Sequence, residues 1–234
     1  RFEQRHLTIL RRLADEGPGS GNLVRTLAFF RVDASYYKVT ELFDDEGRVA
    51  PAALPPAATA IVIRTLLVSL RCLHERGLVH GALKPENVLP QRTPAGAVTS
   101  KVIDFDDAFV TGAPPEPERL IGDPRFYAPE AFRYIKQIDG VGADALSTPV
   151  DVFAAGLIVH ELVTGAAPWF DREAFTYPCE AIVAGRSLVV DPRLDGTALG
   201  AALRDCLADD PAARPSVSEL LEALPADVLR ATTD

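Results

Sequence analysis

The residues whose types and spacing could do chemistry lie in one octet, His80-Gly81-Ala82-Leu83-Lys84-Pro85-Glu86-Asn87, and in the downstream run Asp104-Phe105-Asp106-Asp107. Lys84 offers a cation of the kind that neutralises a phosphate. Asn87 and Asp104 offer hard oxygen donors suited to magnesium. Two residues before Lys84 stands Ala82, and a methyl group accepts no proton. The set therefore reads as a phosphate and metal cradle. Asp104, Asp106 and Asp107 put three carboxylates into four residues, an arrangement expected to repel a polyphosphate unless a cation intervenes.

These residues need a frame, and the surrounding sequence predicts one. Ala57 to Arg76 has apolar residues at Ile63, Leu66, Leu67, Leu70 and Leu73 and stops at Gly77, which predicts an amphipathic helix beneath the octet. Lys101-Val102-Ile103 reads as a short strand leading into Asp104, with Pro94-Ala95-Gly96 as the turn before it. Upstream, Phe2, His6, Ile9, Leu10 and Leu13 fall at helical spacing, and Gly17-Pro18-Gly19-Ser20-Gly21 ends that segment as a turn. Two strands, Leu23 to Arg31 and Tyr36 to Phe43, follow around Asp33-Ala34-Ser35. Further helices are predicted over 151–164, 198–208 and 216–224, the last opened by a Ser216-x-x-Glu219 capping box.

Composition sets outer limits. The chain has 234 residues, 47% hydrophobic and 24% charged, enough to bury one sizeable core or two small ones. Its formal charge of −9 opposes nucleic acid or an anionic membrane as principal ligand. Cys72, Cys179 and Cys206 are odd in number and far apart, so they read as buried reduced thiols in the cytoplasm. The apolar runs read as too short and too interrupted to cross a bilayer. The chain opens on Arg1 and contains no Met, and it reads as a fragment.

The octet resembles the H-R-D-x-K-x-x-N catalytic loop of eukaryotic-type Ser/Thr protein kinases. Three more stretches resemble that family in order. Lys101 to Asp106 matches the strand and D-F-G, with Asp106 for Gly; Gly122 to Glu130 matches G-T-x-x-Y-x-A-P-E, with Asp123 for Thr; Asp209 to Pro215 matches D-P-x-x-R-P. Asp151 to Leu162 is similar to the family's buried central helix. The resemblance implies an α+β, bilobal protein-kinase-like fold with a truncated small lobe, residues 1–43, and a mainly helical large lobe, residues 44–234. Family strands one to three, with their Gly-rich loop and Lys, are expected upstream.

Residue by residue, the resemblance puts Ala82 at the base position and Lys84 at the phosphate contact. Asn87 and Asp104 fall at the magnesium positions, and Thr40, Glu41, Phe43 and Leu89 around a degenerate adenine site with Thr40 as gatekeeper. His80, Phe105 and Asp151 become members of a structural column, and Glu130 and Arg214 an ion pair that ties the activation segment down. His6 falls where the family's small-lobe helix carries Glu, and reads as an ordinary helix-face histidine. Gly81 replaces the Arg that binds an activation-loop phosphate, so control by phosphorylation there is not expected.

The resulting expectation is a pseudokinase: a catalytically deficient, protein-binding or allosteric signalling module, bacterial by its Arg-, Ala- and Pro-rich composition. Its partner is another protein or another domain of the same polypeptide. No cofactor is expected to bind well, ATP and magnesium at most weakly. The alternatives are an active or weakly active ATP-dependent Ser/Thr phosphotransferase, or an ATP-binding sensor. A small-molecule kinase is disfavoured by Ala128-Pro129-Glu130 and Arg214.

Overall fold

The computed structural model describes residues 2–14, 19–42, 48–93 and 95–233. Helix α1 (Phe2–Leu13) buries His6 and Ile9. Strands β1 (Thr26–Val32) and β2 (Ser35–Thr40) form an antiparallel hairpin closed by a tight turn, in which Asp33 takes a left-handed φ of 53°. Both strands are shorter than the sequence predicts. Leu23 leaves the hairpin to bridge Val102, and the Val24 N–H donates to the Val102 carbonyl at 2.9 Å. Backbone bonding to the metal-side strand thus outcompetes extension of β1. Gly17 and Pro18 of the predicted turn, Pro94, and Phe43 lie outside the described residues.

Helix α2 (Pro56–Glu75) is the central support. Val62, Ile63, Leu66 and Leu70 are fully buried, and each contributes roughly 1.5–3 kcal/mol relative to exposure. By length and composition α2 could cross a bilayer, contrary to the sequence expectation, yet most of its apolar stretch is buried inside the fold. Strand β3 (Leu78–Val79) follows it and pairs with β6 (Phe109–Val110), while β4 (Val88–Arg92) pairs with β5 (Val98–Val102), both antiparallel. The octet therefore runs from one two-stranded sheet to the other, over α2.

Helix α4 (Pro149–Thr164) is buried along Val150 to His160 and ends at Gly165 with φ 79°. It packs on α2 and on α6 (Ala198–Cys206). Close approach to α6 depends on Gly156, where a Cβ would come within 2.9 Å of the Cys206 Cβ. Helix α7 (Val217–Ala223) opens with the Ser216 and Glu219 capping box. Three helices had no sequence prediction: α3 (Pro129–Lys136), α5 (Pro178–Val183) and α8 (Ala226–Thr233). The fold is α+β, with a small sheet content and a mainly helical body.

Candidate functional site

The octet is held from beneath by Asp151 on α4. Its carboxylate accepts the His80 N–H at 2.8 Å and the Gly81 N–H at 3.0 Å, and lies 3.0 Å from His74 Nε2. These bonds hold the buried Asp151 carboxyl below its usual pKa against the opposing cost of burial, the largest single influence. The His80 ring meets Phe105 with centroids 5.2 Å apart, and His80 Nε2 bonds the Ile103 carbonyl at 3.0 Å. Gly81 has φ 76°, and a Cβ there would come within 2.9 Å of the Asp107 carbonyl and the Phe109 ring. An Arg would thus be excluded by conformation and by space.

Asn87 is buried and its Nδ2 donates to the Ala82 carbonyl at 3.0 Å. The Ile103 N–H donates to the Asn87 carbonyl at 3.0 Å, and Val88 pairs with Val102, so Asn87 and Asp104 flank the same end of the β4 and β5 ladder. Asp104 is exposed and takes φ 66°, a strained value for a residue with a side chain and one typical of functional positions. A carboxamide oxygen and a carboxylate are hard donors that fit magnesium. Among the described residues no three His, Cys, Asp or Glu side chains converge on a metal position. A cation here would complete its shell with ligand and water oxygens.

Of the three carboxylates Asp104, Asp106 and Asp107, the structure gives Asp106 cationic and ring partners. Lys38 on β2 contacts the Asp106 carboxylate directly, His6 Nε2 lies 3.8 Å from it, and Arg5 donates to the Asp106 carbonyl at 2.9 Å. The His6 ring first, and then Lys38, hold Asp106 well below the ordinary carboxylate range, against a burial cost. Burial instead pushes Asp107 up to about 6, despite Arg5. His6 is buried and stacks on Phe29 at 5.4 Å, so it joins α1 to β1 as well as facing Asp106. The sequence reads it as an ordinary helix-face histidine because its partner is a hundred residues away.

The residues suggested for an adenine site are only partly placed together. Thr40 pairs with Thr26 at the end of the hairpin, and Leu89 pairs with Lys101 in the β4 and β5 ladder. Glu41 has other work. Its carboxylate contacts Lys101 and accepts the Arg25 N–H at 3.0 Å, and its own N–H donates to the Arg25 carbonyl.

On the other side of the octet, a narrow gap beside Ala82 is lined by Gly81, Leu83, Asp123, Tyr127 and Asp151. Asp123 is a carboxylate at this gap, and the charge of Lys84 helps to hold its pKa down. The larger influence is Arg125, which bonds both Asp123 oxygens and extends towards Glu86 at 3.8 Å. Behind this segment, Arg214 and Glu130 form a buried two-pronged pair at 2.7 and 2.8 Å. Arg214 also donates to the carbonyls of Pro149, Ala208 and Asp209. A groove of about 1020 Å³ opens nearby, walled by Leu54, Phe126, Leu157, Phe170 and Phe175 with Glu161 among them.

The family model described as protein kinase domain matches residues 4–224. The chain is 29% identical over 228 residues to calcium/calmodulin-dependent protein kinase type I of Schizosaccharomyces pombe, covering 94% of this chain and 64% of that protein. It is 30% identical over 176 residues to serine/threonine-protein kinase PkaA of Streptomyces coelicolor, covering 73% and 30%. With serine/threonine-protein kinase Pkn1 of Myxococcus xanthus it shares 32% over 162 residues, covering 66% and 22%. The chain thus spans less than two thirds of the length of each of these relatives.

Proposed function

The chain belongs to the protein kinase domain family, and from that premise we propose that it is a catalytically deficient member, a pseudokinase that works as a protein-binding or allosteric signalling module. The observation that carries this reading is Ala82, a methyl where a carboxylate would orient and deprotonate the acceptor hydroxyl. Two further features support it. The polar contacts that maintain shape, Asp151 under His80 and Arg214 on Glu130, are present, and the large groove offers a partner a concave surface of mixed apolar and charged side chains. The partner is a protein or another domain of the same polypeptide, and neither nucleic acid nor membrane. The three free, buried cysteines suit the cytoplasm, since burial pushes Cys179 and Cys206 up to about 12 and leaves them inert. The test is transfer of radiolabelled phosphate from ATP to a generic protein substrate, with an Asp104→Ala control. Signal at background in both supports the reading, and signal that vanishes only in the control overturns it.

A second reading, a weakly active ATP-dependent Ser/Thr phosphotransferase, is favoured by one observation: the Asp123 carboxylate lines the gap beside Ala82 and feels the charge of Lys84. Asn87 and Asp104 would hold magnesium, which when bound neutralises phosphate charge. Lys84 would neutralise the migrating phosphoryl group, and Asp123 would orient the hydroxyl from the opposite wall. A general base contributes typically ~10²–10⁴-fold, so its loss at residue 82 leaves room for a residual rate. Under this reading Asp123→Asn removes the residual transfer, whereas a background signal in the wild type rejects the reading outright.

A further inference from the structure

Lys38 is the one lysine before Lys84, and it sits on β2 facing the segment that follows Asp104. Its side chain is 21% exposed and contacts Asp106, whose side chain is 59% exposed. His6 and Arg5 approach the same residue from α1, His6 at the carboxylate and Arg5 at the backbone carbonyl. Two side chains from two elements, Lys38 and His6, thus meet one carboxylate while Arg5 holds its backbone, two residues after the exposed Asp104. A cluster of this kind is an anion site with its anion already supplied by the protein.

We propose that Lys38 is a polyphosphate-binding cation beside the segment that carries Asp104 and that Asp106 occupies it as a built-in competitor, so that a nucleoside triphosphate binds only by displacing the Asp106 carboxylate. The bond is suited to exchange. An ion pair open to solvent contributes little net stability, because water and salt compete for both partners. Displacement also leaves Asp106 beside His6, so the carboxylate keeps a proton-bearing neighbour after Lys38 has moved to the phosphates. Asp104 and Asn87, at the adjacent end of the β4 and β5 ladder, stand where a magnesium ion on those phosphates would meet oxygen donors. The inference goes beyond the protein-binding reading and is independent of whether transfer occurs: it makes the domain an occluded anion receptor, with weak binding in the wild type as its consequence.

The test is calorimetric titration of the wild type, Asp106→Asn, Lys38→Met and the double variant with magnesium ATP, with tripolyphosphate and adenosine as separate probes. Asp106→Asn is expected to tighten ATP and tripolyphosphate at least about fivefold, the low end of ordinary site-to-site coupling, and to leave adenosine unchanged. Lys38→Met is expected to abolish binding of both polyphosphates, and in that background Asp106→Asn gains nothing. Lys38→Arg, which keeps the charge, guards against a fold defect in the Met variant and is expected to bind as the wild type does. Equal tightening by Asp106→Asn with and without Lys38 would mean simple relief of charge repulsion and overturns the proposal. So does a failure of Asp106→Asn to bind ATP more tightly than the wild type.

Discussion

Two ion pairs, one on each side of the octet, show how this chain treats shape and chemistry differently. Arg214 and Glu130 are 0% and 5% exposed, joined by two bonds, and the guanidinium is further tied to three backbone carbonyls. Lys38 and Asp106 meet at a partly exposed contact, with side chains 21% and 59% exposed. Charges taken out of water must be fully satisfied or they destabilise the fold, and exposed charges need not be. The first pair therefore acts as a fixed structural joint. The second is an exchangeable contact, placed where a ligand would arrive.

The largest expected effect breaks the fixed side. Arg214→Ala leaves the Glu130 carboxylate buried without its partner, a loss of ~3–5 kcal/mol. For a chain of this size that corresponds to a melting temperature lower by on the order of 10 °C. Thermal denaturation followed by circular dichroism measures it, and a change of only a degree or two would mean that water reaches Glu130 and the joint is not rigid.

Next in size is a gain on the exchangeable side. Ala82→Asp combined with Asp106→Asn restores a carboxylate at the octet and releases Lys38, and is expected to raise phosphoryl transfer by about 10²-fold, the lower range for a general base. Radiolabel transfer to a generic protein substrate reads this out. If the double variant stays at the wild-type level, the deficiency lies in nucleotide positioning and not in the missing base.

The contrast also explains what could be read from the sequence. Features encoded locally were legible: the apolar stripe and terminal Gly of α2, the Ser216 and Glu219 cap of α7, and the motif spacing around His80, Asp104 and Glu130. Short helices were not, because α3, α5 and α8 span eight, six and eight residues and carry too few turns for periodicity to register. The sharper omission was Lys38. Its partner lies 68 residues away, and no local pattern signals that a strand lysine crosses to the residue after Phe105. Asp123 beside Ala82 was hidden in the same way, since only folding brings the activation segment against the octet.

A smaller effect concerns two buried histidines on the fixed side. His160 Nε2 accepts the Asp191 N–H at 3.0 Å, so the ring is neutral with its proton on Nδ1, which donates to the Ala166 carbonyl at 2.7 Å. Burial lowers its pKa and that of His80. The unfolded chain takes up protons near 6.5 while the folded chain resists them, so stability is full above that pH and declines as pH falls below it. At pH 5.5 the loss is up to about 1.4 kcal/mol per histidine. His160→Gln should lose less melting temperature between pH 7.5 and 5.5 than the wild type does, and equal losses would assign the pH sensitivity elsewhere.

The smallest expected effect sharpens the exchangeable side. Glu41 contacts Lys101 through partly exposed side chains; burial is the largest single influence and raises its pKa, but the bonds and charges of Lys101 and Arg25 together outweigh it and lower the pKa. Such a pair is worth about 0.2–1 kcal/mol, so Glu41→Gln should move the melting temperature by no more than a few degrees. Because the Glu41 N–H is also committed to the Arg25 carbonyl, the substitution tests the carboxylate alone and leaves the backbone as it is. If Glu41 belongs to the frame and not to an adenine site, calorimetric affinity for magnesium ATP in the Asp106→Asn background stays within about twofold when Glu41→Gln is added, below the fivefold floor of site coupling. A larger loss would move Glu41 from the supporting contacts to the ligand-facing ones.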